Sequence, residues 1–275
     1  FNTNKYSKSN KKPVTLFMVD KDKVVSLPYF FACSFFGRKY NTNKKCPPLF
    51  EEKFVSNCEL REYQREPFDQ ALFDLEEFNT CTLALYPAFG KTILGALLAM
   101  ELNKLTCVLF HRGILGDQWY ESFIKKVVPE LKDNIWIVGK GKQPENVKII
   151  LCMDQRVNKI SPDLVKKVGT LIIDEAHCFC CTSRVEALLT FSPIYTIIET
   201  ATPGKEGDMY DMIRAISGKH FIRRISSKPY ICYIIETGIS IKIDDEPPFQ
   251  NLTTKQCENA QRNNIIIDII KQNSD

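Results

Sequence analysis

The 275-residue sequence contains no apolar run long enough to cross a membrane. Its longest such run, residues 93–100, falls far short of the ~20 residues that a membrane-spanning helix needs. The N-terminus also lacks the basic and apolar pattern of a signal peptide. We therefore expect an intracellular protein that makes no membrane contact.

The cysteines indicate neither a disulfide framework nor a zinc site. There are eleven of them, an odd number, and most are scattered along the chain. One cluster of Cys178, Cys180 and Cys181 places three sulfurs on a short segment, which leaves a four-ligand zinc site incomplete. We expect reduced thiols throughout, with this cluster serving ordinary packing.

The charge is small overall and uneven along the chain. A net charge of +4 is too little to indicate nucleic-acid binding by itself. Residues 1–58 carry eleven Lys and Arg against four Asp and Glu, a net +7, which leaves −3 for the remainder. Contact with a polyanion would therefore be concentrated in this N-terminal region, although the first dozen residues are better explained as a solvated tail.

The apolar pattern predicts a small β-containing module followed by an α/β domain. Short runs at 14–19 and 24–27 predict the first strands, and residues 41–48 predict a linker. From residue 60 onward, short apolar runs alternate with helical patterns at 61–78 and 93–102. Several runs show no alternation, which is typical of strands buried on both faces of a parallel sheet. These further strands are expected at 81–86, 106–110, 134–138, 147–151, 170–174 and 194–199.

Residues 85–92 lie between an expected strand and an expected apolar helix, where phosphate-binding P-loops occur. Backbone N–H groups and the positive end of the helix dipole would face a polyphosphate there. Lys91 would reach the β and γ phosphates, and the Thr92 hydroxyl would bind Mg²⁺. The usual pattern has a glycine five residues before Gly90, where this sequence has Leu85, so an ordinary turn and helix start stays open as an alternative.

A second motif occurs at residues 170–177, where an apolar strand ends in Asp174 and Glu175. We expect both carboxylates at the carboxyl edge of the sheet, beside the P-loop strand. Ion pairing does not explain buried neighbours of like charge, whereas a magnesium ion does. Asp174 would anchor Mg²⁺ through its water shell, and Glu175 would orient and deprotonate the attacking water. The alternative is two acids at a helix N-terminus.

Together with Thr-Ala-Thr-Pro at residues 200–203, these motifs resemble the first RecA-like domain of superfamily 2 DEAH-box helicases. The resemblance implies an α/β fold, in which a small α+β domain precedes a RecA-like parallel sheet flanked by helices. It also implies ATP and Mg²⁺ as cofactors and DNA or RNA as partner. It implies that Gln64 recognises adenine and that Arg112 contacts the nucleic-acid backbone. His177, Thr200 and Thr202 would couple the nucleotide state to the nucleic-acid face. The implied ATP-binding residues are Ala88, Phe89, Gly90, Lys91 and Thr92.

The Gln-Trp pair at residues 118–119 and the helix that closes at Gly218 are similar to the XPB and UvsW branch. They also resemble the transcript-release helicases of poxviruses and related large cytoplasmic DNA viruses. Trp119 itself is expected to pack. This finer resemblance implies partners in transcription or repair and, for a viral protein, a place in the host cytoplasm or the virion.

The same resemblance implies three regions of the chain. Residues 1–58 would form a small basic N-terminal domain, residues 59–258 the first RecA-like domain, and residues 259–275 the start of a second one. The second domain would carry arginine fingers, so we expect an N-terminal fragment of a longer protein. Such fingers contribute ~10³ to 10⁵ in rate, so weak or absent ATPase activity is expected from these residues alone.

The sequence thus predicts the ATP-binding region of an ATP-hydrolysing helicase or translocase, with DNA favoured over RNA as the track. A nucleotide-binding module that never unwinds is one alternative. It is favoured by Ala88, which replaces the family's usual glycine in the loop. The motor of a DNA-cleaving enzyme is the other, and an appended nuclease domain would reveal it.

Overall fold

A computed structural model describes most of the chain, namely residues 15–19, 21–37, 46–51, 56, 58–203, 208–226, 234–241 and 248–273. The strands are β1 (Met18–Val19), β2 (Val25–Ser26), β3 (Thr80–Leu85), β4 (Thr106–Phe110), β5 (Ile135–Ile137), β6 (Ile149–Met153), β7 (Thr170–Ile173), β8 (Tyr195–Thr200) and β9 (Phe221–Arg224). The α-helices are α1 (Tyr29–Phe36), α2 (Glu62–Phe78), α3 (Lys91–Leu102), α4 (Gly113–Ser122), α5 (Pro162–Lys167), α6 (Thr182–Leu189), α7 (Asp208–Ser217), α8 (Pro248–Glu258) and α9 (Ala260–Gln272).

A seven-stranded sheet forms the centre of the fold, in the order β5-β6-β4-β7-β8-β3-β9. Every neighbouring pair in it is parallel. Strands β1 and β2 pair antiparallel in a separate two-stranded sheet. The expected fold class, a RecA-like parallel sheet flanked by helices with a small β-containing element before it, is confirmed.

The sheet is buried on both faces, and most of its strands contribute side chains to two hydrophobic cores. In β4, Val108 packs into a core with α2, α3 and α4. Its neighbours Cys107 and Leu109 point to the other face, into a core with α5, α6 and α7. This two-sided burial explains the continuous apolar runs in the sequence, since a strand with one wet face would alternate.

The strand order differs from the expected one at an important place. The acidic strand β7 does not lie beside the P-loop strand β3, because β8 is inserted between them and pairs with both. Local apolar patterns carry no information about which strands become neighbours. The insertion brings the end of β8, with Glu199 and Thr200, between the two motifs.

The chain divides into two compact units, residues 1–226 and 227–275. The first unit contains β1 to β9 and α1 to α7. In the second, α9 begins where the Asn259 side chain accepts a hydrogen bond of 2.8 Å from the backbone N–H of Arg262. The domain boundaries expected at 58 and 258 stay predictions.

Some expectations fall where nothing is described, and one strand was not expected. The tail at residues 1–12, Val14 and residues 41–45 of the expected linker lie outside the described residues. Strand β9 pairs with β3 and was missed. Among the described residues, no helix combines the length and the apolar character that a membrane crossing requires.

Candidate nucleotide-binding site

The loop between β3 and α3 is a tight turn that ends in a glycine. The backbone N–H of Phe89 donates to the carbonyl of Tyr86 over 3.2 Å. Gly90 follows with φ = 102°, a conformation that residues with a side chain rarely adopt. A Cβ at position 90 would also lie 2.5 Å from Nε2 of Gln64. Both constraints require glycine here.

Ala88 adopts the left-handed conformation that its position demands. Its φ is 64°, and the residue is exposed. This conformation costs a non-glycine residue about 1–2 kcal/mol. The backbone at this position therefore has the conformation that favours glycine, although this sequence has alanine. The surrounding turn keeps Ala88 in this strained conformation.

Gln64 joins the start of α2 to the P-loop. Its Oε1 accepts a hydrogen bond of 3.0 Å from the backbone N–H of Arg61, and its Nε2 donates to the carbonyl of Phe89 over 2.8 Å. The Phe89 ring lies edge-on against Tyr63 and Tyr86, with ring centres 5.1 and 5.2 Å apart. Gln64 is therefore fixed against the loop, and its expected contact with adenine stays a prediction.

Lys91 and Thr92 form the first turn of α3, and both are half-buried. The ammonium of Lys91 donates to the carbonyl of Leu85 over 3.2 Å. The first backbone N–H groups of a helix have no partner within it and face outward with the positive end of the dipole. The turn therefore offers an anion site with a lysine beside it.

Asp174 lies at the end of β7, almost completely buried. Its backbone N–H donates to the carbonyl of Leu109 over 2.9 Å, which continues the ladder to β4. Burial raises the pKa of its carboxyl, against the lowering effects of a hydrogen bond from Trp119 and the charge of Lys91. The same Trp119 packs against Gly95 of α3, so the structure brings the acidic end of β7 beside the helix that begins with Lys91 and Thr92.

Glu175 takes a strained backbone conformation beside Asp174. Its φ is 51° and its ψ is 53°, in the left-handed region. Non-glycine residues in this region cost about 1–3 kcal/mol and cluster at functional sites. The turn directs the two adjacent carboxylates differently, since Asp174 is 6% exposed whereas Glu175 is half-buried.

Trp119 is a neighbour of the site that the sequence did not reveal. The expectation of packing describes part of its environment, since the residue is 1% exposed. In addition, its Nε1 donates a hydrogen bond of 2.9 Å to Oδ2 of Asp174, across 55 positions of sequence. Nothing in the local pattern signals such a contact.

Glu199 is a second missed residue. It is fully buried on β8, and neither of its carboxyl oxygens has a hydrogen-bond partner among the described residues. Burial, and then the charge of Asp174, raises its pKa well above the usual range. A Cβ on Gly95 of α3 would overlap Oε1 of Glu199. A glutamate inside the apolar run at 194–199 was the available signal.

Of the three expected coupling residues, Thr200 contacts both of the others. His177 Nδ1 lies 3.1 Å from the hydroxyl oxygen of Thr200 and 3.4 Å from Oε2 of Glu175. The backbone N–H of Thr202 donates to the same hydroxyl oxygen over 3.1 Å. A continuous path of contacts therefore leads from the acidic motif to residues 200–203.

Arg112 is exposed at the start of α4, directly after β4. Its neighbour His111 is half-buried, and burial followed by the Arg112 charge lowers the pKa of that imidazole. An exposed guanidinium at a strand end is able to reach a phosphate oxygen. The structure brings it to the same carboxyl edge of the sheet as the P-loop.

The donor atoms at this edge suit Mg²⁺ rather than a thiolate-bound metal. The carboxylates of Asp174 and Glu175 and the hydroxyl of Thr92 are hard oxygen donors, and Mg²⁺ commonly binds one or two carboxylates plus phosphate oxygens. In the described regions of the chain, no three His, Cys, Asp or Glu residues form a metal cluster. The thiols of Cys180 and Cys181 each donate to a backbone carbonyl 3.6 Å away.

The family to which this sequence belongs is consistent with a nucleotide-binding site at this edge of the sheet. The model of the ResIII family, described as "Type III restriction enzyme, res subunit", matches residues 57–205. The chain belongs to the ResIII family. The match covers the whole nucleotide-binding edge, from α2 to the end of the Thr-Ala-Thr-Pro segment. The expected membership of helicase superfamily 2 is confirmed at this level, and the XPB and UvsW branch stays a prediction.

Viral proteins are among the relatives of this ResIII chain. "Putative helicase 161L" of Invertebrate iridescent virus 6 is 27% identical over 238 residues, which is 82% of this chain and 52% of that protein. "Putative helicase 109L" of Invertebrate iridescent virus 3 is 27% identical over 248 residues, 85% of this chain and 74% of that protein. The chain thus spans about half the length of the first relative and three quarters of the second.

Two solved structures resemble the chain at low identity. The UvsW helicase from Bacteriophage T4 has a TM-score of 0.49 and 16% identity, covering 74% of this chain and 80% of that one. The Sulfolobus solfataricus SWI2/SNF2 ATPase core in complex with dsDNA has a TM-score of 0.46 and 23% identity, covering 55% of this chain and 34% of that one.

Proposed function

We propose that this chain is the ATP-binding region of an ATP-hydrolysing helicase or translocase that acts on nucleic acid. One arrangement carries the proposal: the indole of Trp119 packs against Gly95 of α3, the helix that follows the P-loop, and donates a hydrogen bond of 2.9 Å to Asp174 at the end of β7. A triphosphate with its metal ion fits between a cationic loop and an acidic strand end. Membership of the ResIII family supports the same conclusion.

The residues of the site have distinct roles in this proposal. The P-loop residues Ala88, Phe89 and Gly90 would surround the phosphates with the backbone of the loop, while Lys91 would bind the β and γ phosphates. Thr92 and Asp174 would hold Mg²⁺, which neutralises charge on the phosphates. Glu175 would accept a proton from the attacking water.

The adenine and the nucleic acid would be bound on either side of this centre. Gln64 would contact the base beside the P-loop. Arg112 would bind a backbone phosphate, and His177, Thr200 and Thr202 would pass the nucleotide state along their contacts. DNA is favoured over RNA because the family description names a restriction enzyme.

The biological setting proposed here follows the viral relatives. A helicase of such a virus would act in transcription or repair, in the host cytoplasm or the virion, without membrane contact.

The domain layout proposed is a basic N-terminal domain at residues 1–58, the first RecA-like domain at 59–258, and the start of a second at 259–275. Activity of these 275 residues alone would be weak without a second domain.

ATPase assays of the full-length protein test the proposal. We expect hydrolysis to be stimulated by single-stranded DNA, duplex DNA or RNA, and the strongest stimulus identifies the track. Lys91→Ala should abolish stimulated hydrolysis, while Lys166→Ala, which changes an exposed lysine on α5, should not. Stimulated hydrolysis that survives Lys91→Ala would contradict the assignment of the site.

A second candidate function is nucleotide binding without unwinding, and the strained Ala88 favours it. The family description favours a third, the motor of a DNA-cleaving enzyme. Strand displacement on a forked duplex separates the first two, because a binding module displaces nothing. Cleavage of the duplex by the full-length protein would identify the third.

A further inference from the structure

We propose that Trp119 is a positioning residue that fixes the orientation of the Asp174 carboxylate toward the bound metal ion. The inference rests on the proposed function, because it concerns the Mg²⁺ site of that same nucleotide pocket. Its observation is the hydrogen bond of 2.9 Å from Nε1 of Trp119 to Oδ2 of Asp174. With Oδ2 held by the indole, Oδ1 would be the oxygen left to bind the metal ion or its water shell.

The hydrogen bond between Trp119 and Asp174 is shielded from water, which strengthens it. Trp119 is 1% exposed and Asp174 is 6% exposed, so water competes little for either group. Hydrogen bonds to a charged acceptor are about twice as strong as neutral ones, and more so away from water. A buried donor on a fixed helix leaves the carboxylate little freedom to rotate.

The indole is itself held in place by close packing. Its Cη2 lies 3.1 Å from the point where a Cβ on Gly95 would stand. The ring of Phe123 also lies against it, with ring centres 5.8 Å apart. Because residue 95 has no side chain, the indole can enter between α3 and the sheet and reach Asp174. The donor is therefore preorganised before any metal ion binds.

Glu199 does not hold the Asp174 carboxylate in place. This fully buried carboxyl lies on the same side of the sheet, against Gly95, and neither of its oxygens finds a partner in the described regions. Glu199 therefore makes no hydrogen bond to Asp174. Among the described side chains, the donor that reaches the Asp174 carboxylate is the indole of Trp119 on α4.

The chain contains a matched control for this proposal. Of its two tryptophans, Trp136 on β5 is also buried, at 7% exposed, and its indole N–H has no partner among the residues that the structure describes. Trp119→Phe and Trp136→Phe remove the same atoms from buried positions. Only the first removes a hydrogen bond to the metal site, so the difference between them isolates that bond from packing.

Mg²⁺ titration of nucleotide binding tests the inference in the 275-residue chain. Fluorescently labelled ADP would be titrated at increasing Mg²⁺ concentration, with thermal melting as the control for folding. Loss of a group that orients a metal ligand typically weakens metal binding 10-fold to 100-fold, so Trp119→Phe should raise the half-saturating Mg²⁺ concentration about tenfold or more. Trp136→Phe should leave it unchanged.

The outcomes are distinguishable from failure of the proposed function. If the wild type binds Mg²⁺-nucleotide, Lys91→Ala abolishes binding, and Trp119→Phe behaves as Trp136→Phe, then this inference alone is wrong. If the wild type binds no nucleotide, the proposed function fails and this inference fails with it.

A spectroscopic measurement keeps the inference testable if Trp119→Phe does not fold. In the Trp136→Phe variant, Trp119 is the only indole left. Its emission should shift when Mg²⁺ and ADP are added together and should shift less with ADP alone. An emission spectrum that is unchanged by Mg²⁺ at saturating ADP would overturn the proposal.

Discussion

Replacing Glu199 with methionine should stabilise the protein. The carboxyl is fully buried and neither oxygen has a partner among the described residues, and such unpaired polar groups cost about 1–3 kcal/mol in mutational data. Methionine is unbranched and of similar length, so it removes the carboxyl without leaving a cavity. We expect Glu199→Met to raise the free energy of unfolding by about 1–3 kcal/mol, or roughly 2–4 °C in Tm per kcal/mol.

The stability gained by Glu199→Met should also increase with pH. Burial, and then the negative charge of Asp174, raises the pKa of Glu199 in the folded state, whereas the unfolded chain has the ordinary value of about 4.3. The folded state therefore keeps a proton that the unfolded state has released. The stability contributed by this proton is complete below the unfolded pKa and is lost as pH rises toward the folded one. Methionine removes that loss.

Urea unfolding of wild type and variant at pH 5 and pH 8 measures both effects. Glu101→Met, at an exposed position of α3, is the control for exchanging the same two side chains in water. A destabilisation at both pH values, or a stability gain that is smaller at pH 8 than at pH 5, would show that the buried Glu199 carboxyl does not destabilise the fold.

Three further predictions follow from single positions. Ala88→Gly should raise the free energy of unfolding by up to about 1 kcal/mol. It removes left-handed strain of about 1–2 kcal/mol, but part of this gain is offset because glycine loses more chain entropy on folding. A lower stability of the variant in urea unfolding would contradict this. Gly95→Ala should lower the free energy of unfolding by about 1–3 kcal/mol, because the added methyl group overpacks against Glu199 and Trp119. Gly113→Ala is the control, since its methyl group would meet no described atom within 4 Å, and it should lower the free energy of unfolding less. Arg112→Ala should weaken nucleic-acid binding and lower the slope of log affinity against log salt by about one, with nucleotide affinity unchanged; an unaltered slope in a filter-binding series would exclude the phosphate contact.

The sequence was sufficient for those features of the fold that local patterns encode. The apolar run at 106–110 became β4, and the run expected at 147–151 became β6 two residues later, at Ile149–Met153. The segment around Gly90 became a strand-to-helix turn. Buried strands and glycine-dependent turns each depend on a few neighbouring residues, which is why they could be predicted.

Features that depend on residues distant in sequence could not be predicted. The insertion of β8 between β3 and β7 is a matter of chain crossing, and the apolar run at 194–199 carries no signal for it. The contact between Trp119 and Asp174 spans 55 positions, and helical periodicity alone indicates only a packed tryptophan. The isolation of Glu199 likewise becomes visible only when Gly95 is placed against it.

Calorimetric titration of ATP into the folded 275-residue chain, with and without Mg²⁺, measures whether Lys91 belongs to a nucleotide site. We expect binding at a single site, tighter when Mg²⁺ is present, and lost in Lys91→Ala while the fold is retained. A folded sample that shows no nucleotide affinity, or a Lys91→Ala variant that binds as well as the wild type, would contradict it.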